Sequence, residues 1–514
     1  MSKTITIFVS FVFIAVIILM AFVVKGKEGD PVYYQKELDA SVTGPFESSN
    51  TTSRYALVQS IVENNSLFFN LEQAKFSAPD LVRYHDKFFT IFTPGVSLLA
   101  IPLYVLGLEF DMPQLFSFLT TIIFAILNVA LIARISIKLG TSLGAGLMAG
   151  VIFLFGTNAL AYSLTLTQHH YVTTVILLMI LNAFDERTIS KNIWFGILYG
   201  VGIFIDVPAG IISLPILFYI LWKHLIINKT SKKFDVSIRY IAIWLAIGLI
   251  PMALAFGAYN YYLTGSYSKV AQSIGRFNGS FEGAENLKEV IIRADEELPV
   301  AQKTFDNWSR FKTRRLLRGF DVLLFGKERS WLYYSPILYV GFLAIFLRGK
   351  LDNEKRSIMN LIGGVIIFNI VLYAMFGDVW GGWSFGARYI IPAGALASVF
   401  LAIVIEAKKK SFITVGLIVI LSFYSIRTNV LGAITTAAIP PKVEAEALLS
   451  PIPYTYAYNI EFVKKNISSS LIYNLYLKDT MTVREFWNIY TTITFGLLMF
   501  PYAFFLSSSF NKEN

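Results

Sequence analysis

The sequence predicts an all-α, polytopic membrane protein with about twelve spans. Three observations predict it. Of 514 residues, 55% are hydrophobic and only 15% charged, and a mean hydropathy of +0.59 is far too apolar for a soluble chain of this length. Apolar runs long enough for a hydrocarbon core of about 30 Å recur from one end to the other. The short connections between them alternate between cation-rich and nearly cation-free, the pattern that the positive-inside bias produces.

The first run, Ile5 to Val24, follows a lone Lys3, matches a bilayer core in length and has no small-residue cleavage signature after it. It reads as an uncleaved first span. Further spans are expected at Gln114 to Ala133, Ser142 to Tyr162, Tyr171 to Phe184, Ile193 to Ile205, Ile211 to Ile227, Tyr240 to Tyr262, Trp331 to Leu347, Ile358 to Phe376, Tyr389 to Ile405, Phe412 to Val430 and Phe486 to Ser507. With the N-terminus cytoplasmic, Arg134/Lys138, Arg187/Lys191, Lys229/Lys232/Lys233/Arg239, Arg348/Lys350/Lys355/Arg356 and Lys408/Lys409/Lys410 all fall inside. The outer turns near Thr167, Val207 and Gly381 then carry no Lys or Arg. This threading requires that Thr93 to Phe110, broken by Pro94, Gly95 and Pro102, lie at the outer interface as a helix and not cross.

Three long segments remain outside: residues 25–110, 263–330 and 431–485. No linker, low-complexity tract or repeat divides the chain, so residues 1–514 are expected to form one membrane-embedded domain. In the first loop Tyr55, Val58, Ile61 and Val62 recur at helical spacing up to Glu63-Asn64-Asn65, which predicts a short amphipathic helix. In the second, the stretch from Trp308 to Leu324 places Leu316, Leu317, Phe320, Leu323 and Leu324 on one face and Arg314, Arg315 and Arg318 on the other. Such a basic helix suits a phosphate-bearing lipid or serves as a headgroup anchor.

Charge and composition exclude several classes. The net charge of +10 sits in cytoplasmic and juxtamembrane stretches, so lipid headgroups account for it and no nucleic acid partner is expected. Cysteine is absent, which removes disulfides, thiolate metal sites and cysteine nucleophiles. Span interiors hold almost no ionisable residues, unlike ion-coupled carriers. No His/Asp/Glu cluster has metal-ligand spacing, and adjacent His169 and His170 lack the i,i+4 arrangement of a helical pair, so no tightly bound metal is expected, although divalent metal dependence stays open.

The ionisable exceptions gather at outer ends of spans. His169 and His170 open one helix, Asp206 sits in Ile-Asp-Val-Pro, and Asp378 and Arg388 flank Val-Trp-Gly-Gly-Trp-Ser-Phe-Gly-Ala. A guanidinium at a helix start grips phosphate bidentately, and imidazole donates to it or relays a proton. Asp30, Glu47, Asp80 and Asp86 of the first loop are candidates to take a proton from an acceptor hydroxyl. Trp380 and Trp383 suit either a sugar face or the aromatic belt.

These residues resemble a known family. Arg54-Tyr-Ala-Leu-Val through Glu63-Asn-Asn-Ser-Leu, Pro79-Asp80, and Thr93-Pro-Gly-Val-Ser-Leu-Leu-Ala-Ile-Pro-Leu-Tyr are similar to the first outer loop of GT-C type membrane glycosyltransferases, relatives of protein O-mannosyltransferases and aminoarabinose transferases. His169-His170, Asp206-Val-Pro-Ala, Leu323-Leu-Phe-Gly-Lys-Glu-Arg-Ser-Trp-Leu-Tyr-Tyr-Ser-Pro and Trp380-Gly-Gly-Trp-Ser-Phe-Gly-Ala-Arg-Tyr continue in the family's order, over Ser53 to Pro392. The resemblance implies a GT-C-like fold in the plasma membrane. It also implies extracytoplasmic transfer of a sugar from a polyprenyl-phosphate-linked donor to a hydroxyl of an acceptor glycan, lipid or protein.

By the same resemblance the base is Asp80, or else Glu47 or Asp86; Arg388, His169, His170 and Arg329 bind the donor phosphate; and Asp206, Asp378 and Trp383 orient these groups or bind sugar. Asn50 stands where relatives often carry an acid, and Ile91 or Phe92 replaces the acid before the Pro-Gly turn. A lipid-linked saccharide flippase or carrier, or a catalytically inactive relative, is the alternative reading. Glycosyl transfer requires the distant carboxylates, imidazoles and guanidinium to converge.

Overall fold

The structure, a computed structural model, describes residues 3–25, 44–230, 233–297 and 311–510. Asp30 and the sequon Asn307-Trp308-Ser309 lie outside the described residues. Helical backbone lies over every predicted span. Among the described residues six helices are long and apolar enough to cross a membrane: Ile5–Val23, Pro113–Lys138, Tyr240–Thr264, Asn353–Ala374, Arg388–Lys408 and Phe412–Ile434. Others are shorter or broken where the sequence supplies a breaker. Gly156, Thr157 and Asn158 separate Leu143–Phe155 from Ala159–Ser163, and Pro336 separates Trp331–Tyr334 from Ile337–Gly341.

The helix Ile391–Lys408 is the centre of the molecule, since every residue from Ile391 to Ile405 is buried. An apolar surface on all sides is what a helix enclosed by others requires. By contrast Tyr240–Thr264 exposes Ile243, Ile250 and Leu254 and packs mainly on Ile189–Ile205, an outer position suited to lipid.

Two predicted elements differ. The span expected to reach Ile227 ends at Trp222, and the β-branched residues that follow pair as an antiparallel hairpin, Leu225–Thr230 with Lys233–Ile238. A second hairpin, Leu81–Tyr84 with Lys87–Thr90, lies in the first loop. The basic stretch is helical at Leu316–Phe320 and widens by one residue per turn over Asp321–Phe325, so Leu317 is exposed with Arg314 and Arg318 while Val322 and Leu323 are buried.

The cation-rich connections collect at one end of the bundle. Lys138 and Lys191 both pair with Asp185, Lys223 donates to the Ala183 carbonyl, and Glu406 accepts from Lys409 and from the Ser142 amide. The first loop covers the other end. Its helix Ser49–Asn64 stops at Asn65, whose φ of 48° is a left-handed turn that Asn tolerates. That helix is not the surface element expected, because Asn50 through Ser60 are buried on all sides, wedged against Leu71–Ser77 and Gly95–Leu108. Gly95 permits the approach to the bundle: a Cβ there would stand 2.6 Å from the Phe204 carbonyl oxygen. Thr93 then donates to the Ile205 carbonyl at 2.7 Å, which sets the first loop against Asp206.

Candidate functional site

The helix Ser49–Asn64 delivers Arg54, fully buried, to this end of the bundle. Its Nη1 donates to the Asn50 carbonyl at 3.1 Å and to Asn50 Oδ1. Nη2 donates to Gln168 Oε1 at 3.0 Å, and the guanidinium lies 3.9 Å over the Phe92 ring. The Nε has no partner. Burial pulls this guanidinium down to about 10, with Asp206 and then Asp80 opposing and Arg388 adding to the fall, so it is cationic at neutral pH.

Three other groups feel the same charges. His169, 4% exposed, lies in the fields of Arg388 and Arg54, and its Nε2 has no partner. Arg388 leaves its Nε buried without a partner and lies 5.4 Å over the Tyr389 ring, which stacks on Tyr373 at 4.5 Å. Gly381, at a φ of 76°, makes room for it: a Cβ there would be 2.7 Å from Arg388 Nε. Asp206 closes the group between Ile189–Ile205 and Val207–Ile212. Burial pushes its carboxyl up to about 6, with Arg54 pulling the other way.

Asp80 stands at the edge of this cluster, 3% exposed. The hairpin that follows it and the helix Ser49–Asn64 hold its backbone: Ser53 Oγ donates to the Asp80 carbonyl at 2.7 Å, and the Ile91 amide to the same oxygen at 3.3 Å. Its Oδ2 accepts from Ser49 Oγ at 2.7 Å. Oδ1 pairs with Arg276 Nη2 at 2.6 Å. Arg276 arrives because the Phe277 amide donates to the Leu81 carbonyl, and its charge also reaches Tyr389.

The structure thus brings together Asp80, His169, Asp206 and Arg388, and leaves the other sequence candidates elsewhere. His170 is spent on packing: Nε2 lies 2.8 Å from the Ala159 carbonyl and so carries the proton, while Nδ1 accepts from Asn128 at 3.3 Å. Arg329 is a staple, not an open phosphate ligand. It donates to the carbonyls of Glu328, Tyr454, Ile439 and Pro440 and to Ser384 Oγ, which uses its five N–H groups. Glu47 pairs with Lys25 in the interior and accepts from Thr436 Oγ1 and the Ala437 amide. Asp86 is exposed at the hairpin tip. Asp378 and Trp383 form a rim: Asp378 accepts from the Gly381 amide at 3.1 Å and its charge reaches Arg388, whereas Trp383 donates to Glu444. Among the described residues no group of three His, Asp or Glu could hold a metal ion.

No protein-family model matches this sequence, and no curated protein does. Solved structures are similar to it. ArnT from Cupriavidus metallidurans in the apo state aligns at 12% identity and a TM-score of 0.48, over 98% of this chain and 76% of that one. ArnT from the same organism bound to undecaprenyl phosphate aligns at 11% identity and a TM-score of 0.45, over 98% and 78%.

Sequence reasoning passed over Arg54, Arg276 and the Tyr373/Tyr389 stack as site residues. A signal for Arg54 was present: a lone arginine in the stretch Asn50-Thr-Thr-Ser-Arg54-Tyr, whose surroundings offer no carboxylate within a helical turn. Arg276 carries no such signal, because its role depends on a backbone contact between two loops almost two hundred residues apart.

Proposed function

We propose that this protein is a glycosyltransferase that moves a sugar from a polyprenyl-phosphate-linked donor to an acceptor hydroxyl on the extracytoplasmic side of the membrane. One observation carries the reading. Three buried nitrogens from three distant stretches, Arg54 Nε, Arg388 Nε and His169 Nε2, lack partners at the same end of an apolar helical bundle, within reach of one another's charge. Buried donors are normally satisfied, and two guanidiniums with an imidazole match an anion such as a lipid-linked phosphate. The cationic connections at the opposite end support a cytoplasmic side there, by the positive-inside bias, and a site on the outer side.

The reaction is a single displacement. The acceptor oxygen attacks the anomeric carbon, the bond from that carbon to the phosphate oxygen breaks, and the proton of the hydroxyl passes to Asp80. Oδ2, whose partner is the rotatable Ser49 hydroxyl, takes it while Oδ1 keeps its ion pair with Arg276. Arg54, Arg388 and His169 stabilise the negative charge that grows on the leaving phosphate. Preorganised donors in a water-poor site are worth about 3 kcal/mol each in such roles. Asp206 balances the charge of Arg54 through its field, and Asp378 and Trp383 line the approach for sugar or acceptor.

A second assignment of the base has its own support. Asp206, raised to about 6, has the basicity that proton abstraction near neutrality favours. Purified protein in vesicles with polyprenyl phosphate, and then with a polyprenyl-phosphate sugar, tests both. Asp80→Asn abolishes transfer but retains lipid binding if Asp80 is the base; retention of transfer in Asp80→Asn and its loss in Asp206→Asn moves the role to Asp206. Wild-type protein that binds no polyprenyl phosphate would end the proposal.

A further inference from the structure

Arg54 is held in an unusual way for a buried arginine. Its neighbours within hydrogen-bond distance are Asn50, through both backbone and side-chain oxygens, and Gln168, and the face of Phe92 lies beneath it. All are neutral. Asp206 and Asp80 act on it only through their fields. Two other cations of the outer loops are matched directly by carboxylates, Arg276 by Asp80 and Lys25 by Glu47; Arg54, like Arg388, is not. A carboxylate at position 50 would lie against the same guanidinium nitrogen, pair with Arg54 and cancel its charge. The amide supplies the same acceptor geometry without the charge, and Asn50 is itself buried, at 9% exposure.

We propose that Asn50 is a positioning residue for the donor phosphate: it aims the Arg54 guanidinium and leaves its positive charge uncancelled, so that the lipid-linked phosphate supplies the missing counter-charge. This rests on the glycosyl-transfer reading. It turns the departure at Asn50 from a lost base into part of the anion seat.

The test compares Asn50→Asp and Asn50→Ala in the full-length protein, with binding of undecaprenyl phosphate in detergent micelles and thermal unfolding as separate readouts. Asn50→Asp keeps an acceptor for Arg54 Nη1, so its unfolding temperature equals or exceeds that of the wild type, while lipid affinity falls about tenfold or more because a carboxylate now occupies the guanidinium. Asn50→Ala lowers the unfolding temperature more than Asn50→Asp and weakens binding less. A purely structural Asn50 gives the opposite order for binding, with Ala worse than Asp, and that result overturns the inference. Equal lipid affinity in wild type and Asn50→Asp overturns it as well. Absence of binding by the wild type counts against the glycosyl-transfer reading itself, and so is distinguishable from either.

Discussion

Arg54 and Arg329 are both fully buried arginines, and they do opposite things. Arg329 spends its donors on four backbone carbonyls and a serine, tying the start of the helix Trp331–Tyr334 to the loop at Ile439–Tyr454. Arg54 is gripped by two neutral amides and keeps its Nε without a partner. Burial alone therefore does not mark a ligand. The inventory of donors does, because a guanidinium whose five N–H groups are all satisfied can reach a phosphate only by giving up bonds it already has. The adjacent histidines repeat the lesson: His170 is closed by Asn128 and Ala159, and His169 presents an unpartnered Nε2.

The largest expected effect breaks the arginine pair in opposite directions. Arg54→Ala and Arg388→Ala each lower sugar transfer by about a hundredfold or more, read as initial rate in vesicles, with the protein still folded. Arg329→Met destabilises by about 3–5 kcal/mol, since four carbonyls lose their donor, and the folded fraction that survives binds polyprenyl phosphate as the wild type does. A folded Arg329→Met protein that has lost lipid binding would return Arg329 to the site.

The histidines give the next contrast. His169→Gln reduces transfer about ten- to a hundredfold with little change in unfolding temperature. His170→Ala costs about 1–3 kcal/mol of stability and leaves the rate per folded molecule unchanged. The reverse pattern would exchange their roles.

The smallest effect is a pH dependence at Asp206. Its folded value, about 6, lies above the ordinary 3.8 because burial disfavours the charged form. The neutral carboxyl is therefore tolerated below about pH 4 at no penalty, and stability from this group falls as pH rises through about 6. Asp206→Asn is expected to unfold at a higher temperature than wild type at pH 7.5 and at the same temperature near pH 4. Thermal scans at the two values decide it, and no difference at pH 7.5 would remove Asp206 from the buried cluster.

Much of the architecture was legible because lipid imposes a strong pattern. Apolar run length and cation asymmetry located the helical segments, and the cation-rich connections do meet at one end, Lys138 and Lys191 on Asp185. His169, Asp206 and Arg388 also stood out at the ends of their spans, since ionisable residues beside apolar runs are few, and the structure brings these three together. Less legible were elements shaped by neighbours. The helix Ser49–Asn64 has the composition of a surface helix but is buried against Leu71–Ser77 and Gly95–Leu108, the latter seated on the bundle by the close approach of Gly95 to Phe204, and the hairpin at Leu81–Thr90 depends on pairing that no local period reveals.

What the sequence determined by itself is the membrane-bound helical class, the segments and the short set of polar residues available for a site. Only the tertiary structure decided which of those residues are free to act. Arg54 and Arg329, His169 and His170, and the carboxylates Asp80 and Glu47 are alike in chemistry and in burial; contacts such as Gln168 on Arg54, Ile439 on Arg329 and Thr436 on Glu47 come from stretches a hundred or more residues away, and together with local ones such as Asn50 on Arg54 they fix which groups remain available.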